Sequence, residues 1–120
     1  MSIERIEVGP RMSQAVVHNG TVYMAGVVAG DATAGDATIG VKGQTEQILA
    51  TIDRVLALAG SDKSKILKAN IWLSNIADFP LMNEAWDAWV PAGHTPARAT
   101  VESRLASSNL LVEIMVEAAV

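Results

Sequence analysis

The sequence predicts an α+β fold in the order βββαβαββ: a mixed β-sheet with two helices packed on one of its faces. Three observations carry this. Two β-rich runs, Ala15 to His18 and Thr21 to Met24, flank Asn19-Gly20, a pair suited to a two-residue hairpin because both central positions need positive φ. Ile48, Ile52, Val55, Leu56 and Ala59 recur at the spacing of a single helical face. Ile66 to Leu73 then alternates with the period of a strand. Elements in this order form one sheet with its helices on one side.

Ile3, Ile6 and Val8 suggest a first strand that stops at Gly9-Pro10. After the hairpin, Gly26 to Gly40 reads as a loop. It holds Gly-Asp-Ala-Thr twice, at Gly30 and Gly35, as a local duplication. The spacing and lysine of a phosphate-binding loop are absent. A helix is expected over Thr45 to Ala59, with Gly60 placed to end it. In the strand Ile66 to Leu73, Leu67, Ala69, Ile71 and Leu73 should point one way and Lys68, Asn70 and Trp72 the other. Asp78 should cap a second helix, with Pro80 tolerated in its first turn. Leu81, Met82, Ala85, Trp86 and Trp89 make its apolar face, and Pro91 stops it. Two strands close the chain, Arg98 to Leu105 and Leu110 to Ala118, joined by the polar turn Ala106-Ser107-Ser108-Asn109.

A chain of 120 residues is expected to form one domain, 1–120, with a modest core. Half of the residues are apolar and the mean hydropathy is +0.27. That is greasy for a small monomer and points to a homo-oligomer that buries the far sheet face; a chain merely rich in alanine and valine is the plain alternative. The formal charge is -4 and no stripe of lysine and arginine is present, which argues against a nucleic-acid partner. The absence of cysteine excludes disulfides and thiol chemistry and fits a cytoplasmic location. MSIERIEVGP lacks the apolar segment of a signal peptide, and no apolar stretch is long enough to span a bilayer. The sequon Asn19-Gly20-Thr21 reads as a turn.

The chemistry-bearing stretches are TPARATVES and LLVEIMVEA. The first sets Arg98 at the start of a strand, on the same face as Thr100. A fixed guanidinium can clamp a small carboxylate with two parallel hydrogen bonds. The second places Glu113 in an apolar run, where a carboxylate can orient or activate water. Each has a plainer reading as a solvated strand residue. A hairpin about residues 106–109 would set Glu113 opposite Ser103, leaving Arg98 about 15 Å away along the sheet. The pair would then meet across a subunit interface. His18 and His94 lack metal-ligand spacing and read as loop residues. Ser103, Ser107 and Ser108 lack a triad setting. Trp86 and Trp89 read as core or interface anchors, and Asn83, one turn before Trp86, faces a pocket or water.

The ordered set PARATVESRL, LLVEIMVEA, ANIWLSNIADFPLMNEAWDAW and VYMAG resembles the RidA/YjgF group of reactive-intermediate deaminases along nearly the whole chain. The resemblance implies a chorismate-mutase-like fold and a homotrimer with three sites between subunits. It implies hydrolysis of 2-imino acids, formed from enamines such as 2-aminoacrylate, to 2-keto acids and ammonia, with no metal or organic cofactor. Carried over, Arg98 binds the substrate carboxylate and Glu113 positions the attacking water. Backbone groups at Gly26 and Thr100 fix the substrate's nitrogen side, and Asn83 matches a site position. Three positions depart from the family pattern: Met12 stands for a pocket tyrosine, Ala25 for a serine and Thr100 for a cysteine. The losses at Met12 and Ala25 make the pocket more apolar and point to a divergent subgroup. The competing readings are a trimeric small-carboxylate-binding or regulatory module without turnover, and a ribonuclease, which the acidic charge disfavours.

Overall fold

The computed structural model describes residues 2–30 and 35–120. Three strands open it: β1 (Glu4–Val8), β2 (Ser13–His18) and β3 (Thr21–Met24). Asn19 and Gly20 both have positive φ, 53° and 78°, so the β2–β3 hairpin turns as its Asn-Gly pair requires. Then come α1 (Gly40–Leu58), β4 (Ile66–Leu73), α2 (Phe79–Trp89), β5 (Ala97–Glu102) and β6 (Val112–Ala119).

The six strands form one sheet in the order β1-β2-β3-β6-β4-β5. Neighbours are antiparallel except β4 and β5, which are parallel. Parallel neighbours need a long crossover, and the segment carrying α2 supplies it. Both helices cover one sheet face. Ala69, Ile71 and Leu73 of β4 lie beside Val116, Ile114 and Val112 of β6. All six are buried in one core with Ile48, Ile52, Val55 and Leu56 of α1 and Met82 and Trp86 of α2. The other face, carrying Tyr23, Asn70, Trp72, Glu113 and Met115, has no helix over it and is exposed or half-buried.

The structure corrects several expectations. The first helix begins at Gly40, five residues before Thr45. Its glycine-rich start looks like loop, yet Val41 and Gln44 there are buried, and Gly43 leaves room for Ile39, which a Cβ would approach to 3.2 Å. The second Gly-Asp-Ala-Thr copy forms a 3-10 turn, Ala37–Ile39, capped by Asp36. Residues 31–33 of the first copy lie outside the described residues. Asp78 makes no side-chain cap. Asn75 accepts from the Ala77 N–H at 2.9 Å and caps a 3-10 turn, Ile76–Asp78, that runs into α2. Leu81 is 48% exposed rather than on the buried face. Leu67 is 53% exposed, because a bulge between Ile66 and Lys68 shifts the alternation.

The largest correction is topological. The last two strands do not form a hairpin, because β4 lies between them. The 103–111 segment passes the end of β4 instead. There the Ser103 N–H donates to the Leu73 carbonyl at 2.9 Å and the Ser74 N–H to the Leu111 carbonyl at 3.0 Å. Accordingly β5 stops at Glu102, where β4 ends beside it, and β6 begins at Val112.

Candidate active site

Arg98 lies opposite Ala69 and Thr100 opposite Ile71 in the parallel pairing of β5 and β4. Paired residues share a face, so both side chains point to the helix side, toward α2. The Arg98 guanidinium carbon is 5.6 Å from the centre of the Phe79 ring and 5.3 Å from that of Trp86. Phe79, Asn83 and Trp86 are four and three residues apart and so fall on one stripe of α2. Two oxygens here are buried without a hydrogen-bond partner: Asn83 Oδ1 and Thr100 Oγ1. Buried polar atoms are nearly always paired; these two are exceptions, on the two elements that position Arg98. Among the described residues, the ion pair that forms is Arg54 with Glu7; Arg98 has no carboxylate partner.

Glu113 lies opposite Trp72 in the β4–β6 pairing and points to the uncovered face. Gly26 is held beside it, because Val27 and Ile114 exchange backbone hydrogen bonds of 2.8 and 3.0 Å. A Cβ on Gly26 would fall 2.1 Å from Glu113 Oε2. Glycine is therefore required for the carboxyl to rest against the backbone. Desolvation raises the Glu113 pKa above its ordinary value of 4.5. Met12 and Gly26 line a cavity of about 530 Å³ with Gln47 and Thr51 of α1 and the Arg54–Glu7 ion pair, and Met12 is 45% exposed. The Ala25 N–H donates to the Gln14 carbonyl at 2.9 Å, holding this strand end in place.

The predicted residues thus fall into two groups. Arg98, Asn83 and Thr100 gather at α2 and β5. Glu113, Gly26 and Ala25 gather where β3 ends against β6, and Met12 stands apart, in the cavity beside α1. Within one protomer the groups do not meet. Arg98 is level with Ala69 and hence Val116, while Glu113 lies three residues farther along and points through the opposite face. Strand spacing puts their Cα atoms about 14 Å apart. A larger concavity, about 720 Å³, lies along residues 102–108 with Ser74 and Leu110; it gathers neither Arg98 nor Glu113. Among the described residues, no cluster of three or more His, Cys, Asp or Glu could hold a metal ion.

Sequence reasoning missed Phe79 as a neighbour of Arg98 and took Trp86 for a core or interface anchor, not a neighbour of the guanidinium. The spacing of Phe79, Asn83 and Trp86 was the available signal. It also missed Gln44, which is fully buried. Gln44 donates to the carbonyls of Asp36 and Asn109 at 3.0 and 2.8 Å and accepts from the Leu111 N–H at 2.9 Å. It thereby ties α1 to the start of β6, two residues before Glu113.

Comparison with known proteins identifies the family. The family described as "Endoribonuclease L-PSP" matches residues 2–120. The chain is similar to the RutC family protein YoaB of Escherichia coli, 47% identical over the full length of both. It is similar to the Reactive Intermediate Deaminase A, chloroplastic, of Arabidopsis thaliana, at 34% identity over 85% of this chain and 54% of that protein. Its fold matches that of NMB1025, a YjgF-family protein from Neisseria meningitidis, with a TM-score of 0.91 and 44% identity over 99% of this chain and 95% of that one. With matches that run from end to end in both sequence and fold, the chain belongs to the endoribonuclease L-PSP family, the RutC/YjgF group that includes reactive intermediate deaminase A.

Proposed function

We propose that the protein hydrolyses reactive 2-imino acids and their enamine precursors, such as 2-aminoacrylate and 2-iminopropanoate, to 2-keto acids and ammonia. The sites lie between subunits of a homotrimer. The observation that carries this reading is the division into two complementary halves. An unneutralised arginine stands beside two unpartnered buried oxygens on one surface, and a desolvated carboxyl rests on a glycine on the other. Neither half is a catalyst alone. Brought together from two protomers, they supply an anion clamp and a proton acceptor facing one crevice.

In that crevice Arg98 binds the substrate carboxylate through two N–H donors. Asn83 Oδ1 and the Thr100 hydroxyl meet the substrate's polar groups, and the Gly26 backbone borders the reacting carbon. Ionised Glu113 takes a proton from water as its oxygen bonds to the imine carbon. Glu113 returns that proton to the nitrogen, giving a carbinolamine; it then carries the carbinolamine's hydroxyl proton to the nitrogen as the C–N bond breaks, so ammonia leaves and a keto group remains. An imine is already electrophilic, so alignment of water and substrate does most of the work. Ala25 leaves the Glu113 side of the crevice without a hydroxyl.

The name of the Arabidopsis relative supports the reaction class. The ribonuclease carried by the family's description has less support, since the chain's charge is -4 and polyphosphate chains are held by basic surfaces. The test is ammonia release from imines generated in place by an amino-acid oxidase, compared across alanine, leucine and glutamate. Wild-type protein should accelerate release and Arg98→Ala should not. Equal acceleration by the variant defeats the reading. Binding of keto acids without any acceleration would favour a module that has lost turnover.

A further inference from the structure

The cation of the proposed site is held without an acid. The Arg98 guanidinium carbon lies within about 6 Å of both the Phe79 and Trp86 ring centres, the reach of a cation–π contact. Trp86 is itself braced. Its ring centre is 5.5 Å from that of Trp89, and Trp89 Nε1–H donates to Asp53 of α1 at 3.0 Å. A line of contacts therefore runs from α1 through two indoles to the guanidinium.

We propose that Phe79 and Trp86 are positioning residues that fix Arg98 for anion binding; this rests on the carboxylate-binding role given to Arg98 above. The physical case is a comparison of two ways to hold an arginine. A carboxylate would fix it well, but would occupy its paired N–H donors and cancel its charge. A substrate carboxylate would then have to displace that partner. An aromatic ring attracts the charge through its π face and makes no hydrogen bond with the donors. The guanidinium is held while its charge and donors stay free. Less side-chain freedom is then lost when the anion arrives. The positions suit this division of labour: Trp86 is buried in the core, whereas Phe79 is 38% exposed at the start of α2.

The experiment measures pyruvate affinity by titration calorimetry, beside kcat and KM for imine hydrolysis. Phe79→Leu removes one π face at a half-open position outside the core. It should weaken pyruvate binding about five- to tenfold and raise KM in step, with kcat little changed. Phe79→Tyr should restore wild-type affinity. Trp86→Phe keeps a ring in the core and should change affinity less than about twofold. The inference is overturned if Phe79→Leu binds pyruvate like wild type while Arg98→Ala does not. It is also overturned if Tyr and Leu at position 79 are equally weak, which would mark a packing effect. If Arg98→Ala binds pyruvate as tightly as wild type, the carboxylate-binding role falls, and this inference with it.

Discussion

Gly26 and Glu113 show how much a single Cβ can decide. Gly26 has no positive φ among the described glycines, so alanine fits its backbone. The atoms nearest an added methyl are Oε2, Cδ and Cγ of the Glu113 side chain, which can swing away. Gly26→Ala should therefore fold and melt near wild type, yet lose about 100-fold in kcat through a displaced carboxyl. Glu113→Gln should lose about 100-fold or more, since no proton acceptor remains. Its stability should move the other way. With the Glu113 pKa raised by burial, the stability linked to this group is fully present below the unfolded pKa. It is lost as pH rises through the folded one. In the dissociated protomer, Glu113→Gln should thus melt higher than wild type at neutral pH, with the gap closing below the ordinary value of 4.5. A gap that widens on acidification would refute the assignment. Arg98 and Glu113 were both legible in the sequence as charges in strand patterns. The rings around Arg98 were not, because Phe79 reaches it only through the fold.

At the level of elements, Gln44 joins three otherwise separate stretches. Its side chain satisfies two carbonyls and one N–H at full burial. Gln44→Leu keeps similar bulk but leaves those groups without partners. Unfolding free energy should fall by roughly 3 kcal/mol, measured by urea titration. A loss under about 1 kcal/mol would mean water replaces the glutamine. The periodic parts of both helices and the alternation of β4 were readable, because apolar spacing reports burial directly. The start of α1 was not, since glycines at 40 and 43 conceal helix behind loop composition. Nor was the relation of β5 to β6. A short polar turn between two strands resembles a hairpin, and the competing partner, β4, is distant in sequence.

For the whole molecule, the two groups project from opposite sheet faces, so the proposed reaction calls for another copy. Light scattering should give about three times the 12.6 kDa chain mass. A monomer of full activity would end the proposal. Arg98→Ala and Glu113→Gln, each inactive alone, should recover activity when unfolded, mixed and reassembled together. Random assembly in equal amounts completes about one site in four, from an intact arginine on one chain and an intact glutamate on its neighbour. No recovery in mixed trimers would place both groups in a single protomer. The exposed apolar side chains Tyr23 and Val101 lie on the uncovered face and offer the surface for such assembly.

The sequence by itself determined the element order, the single sheet with helices on one side, and the residue types able to do chemistry. Those depend on local periodicity and on side-chain chemistry. Only the tertiary structure decided that β4 separates β5 from β6 and that Arg98 and Glu113 face opposite ways. It also decided that two rings rather than an acid lie beside the guanidinium. Strand neighbours are chosen by long-range packing and by the length of the crossover carrying α2, and neither is written in the spacing of adjacent residues.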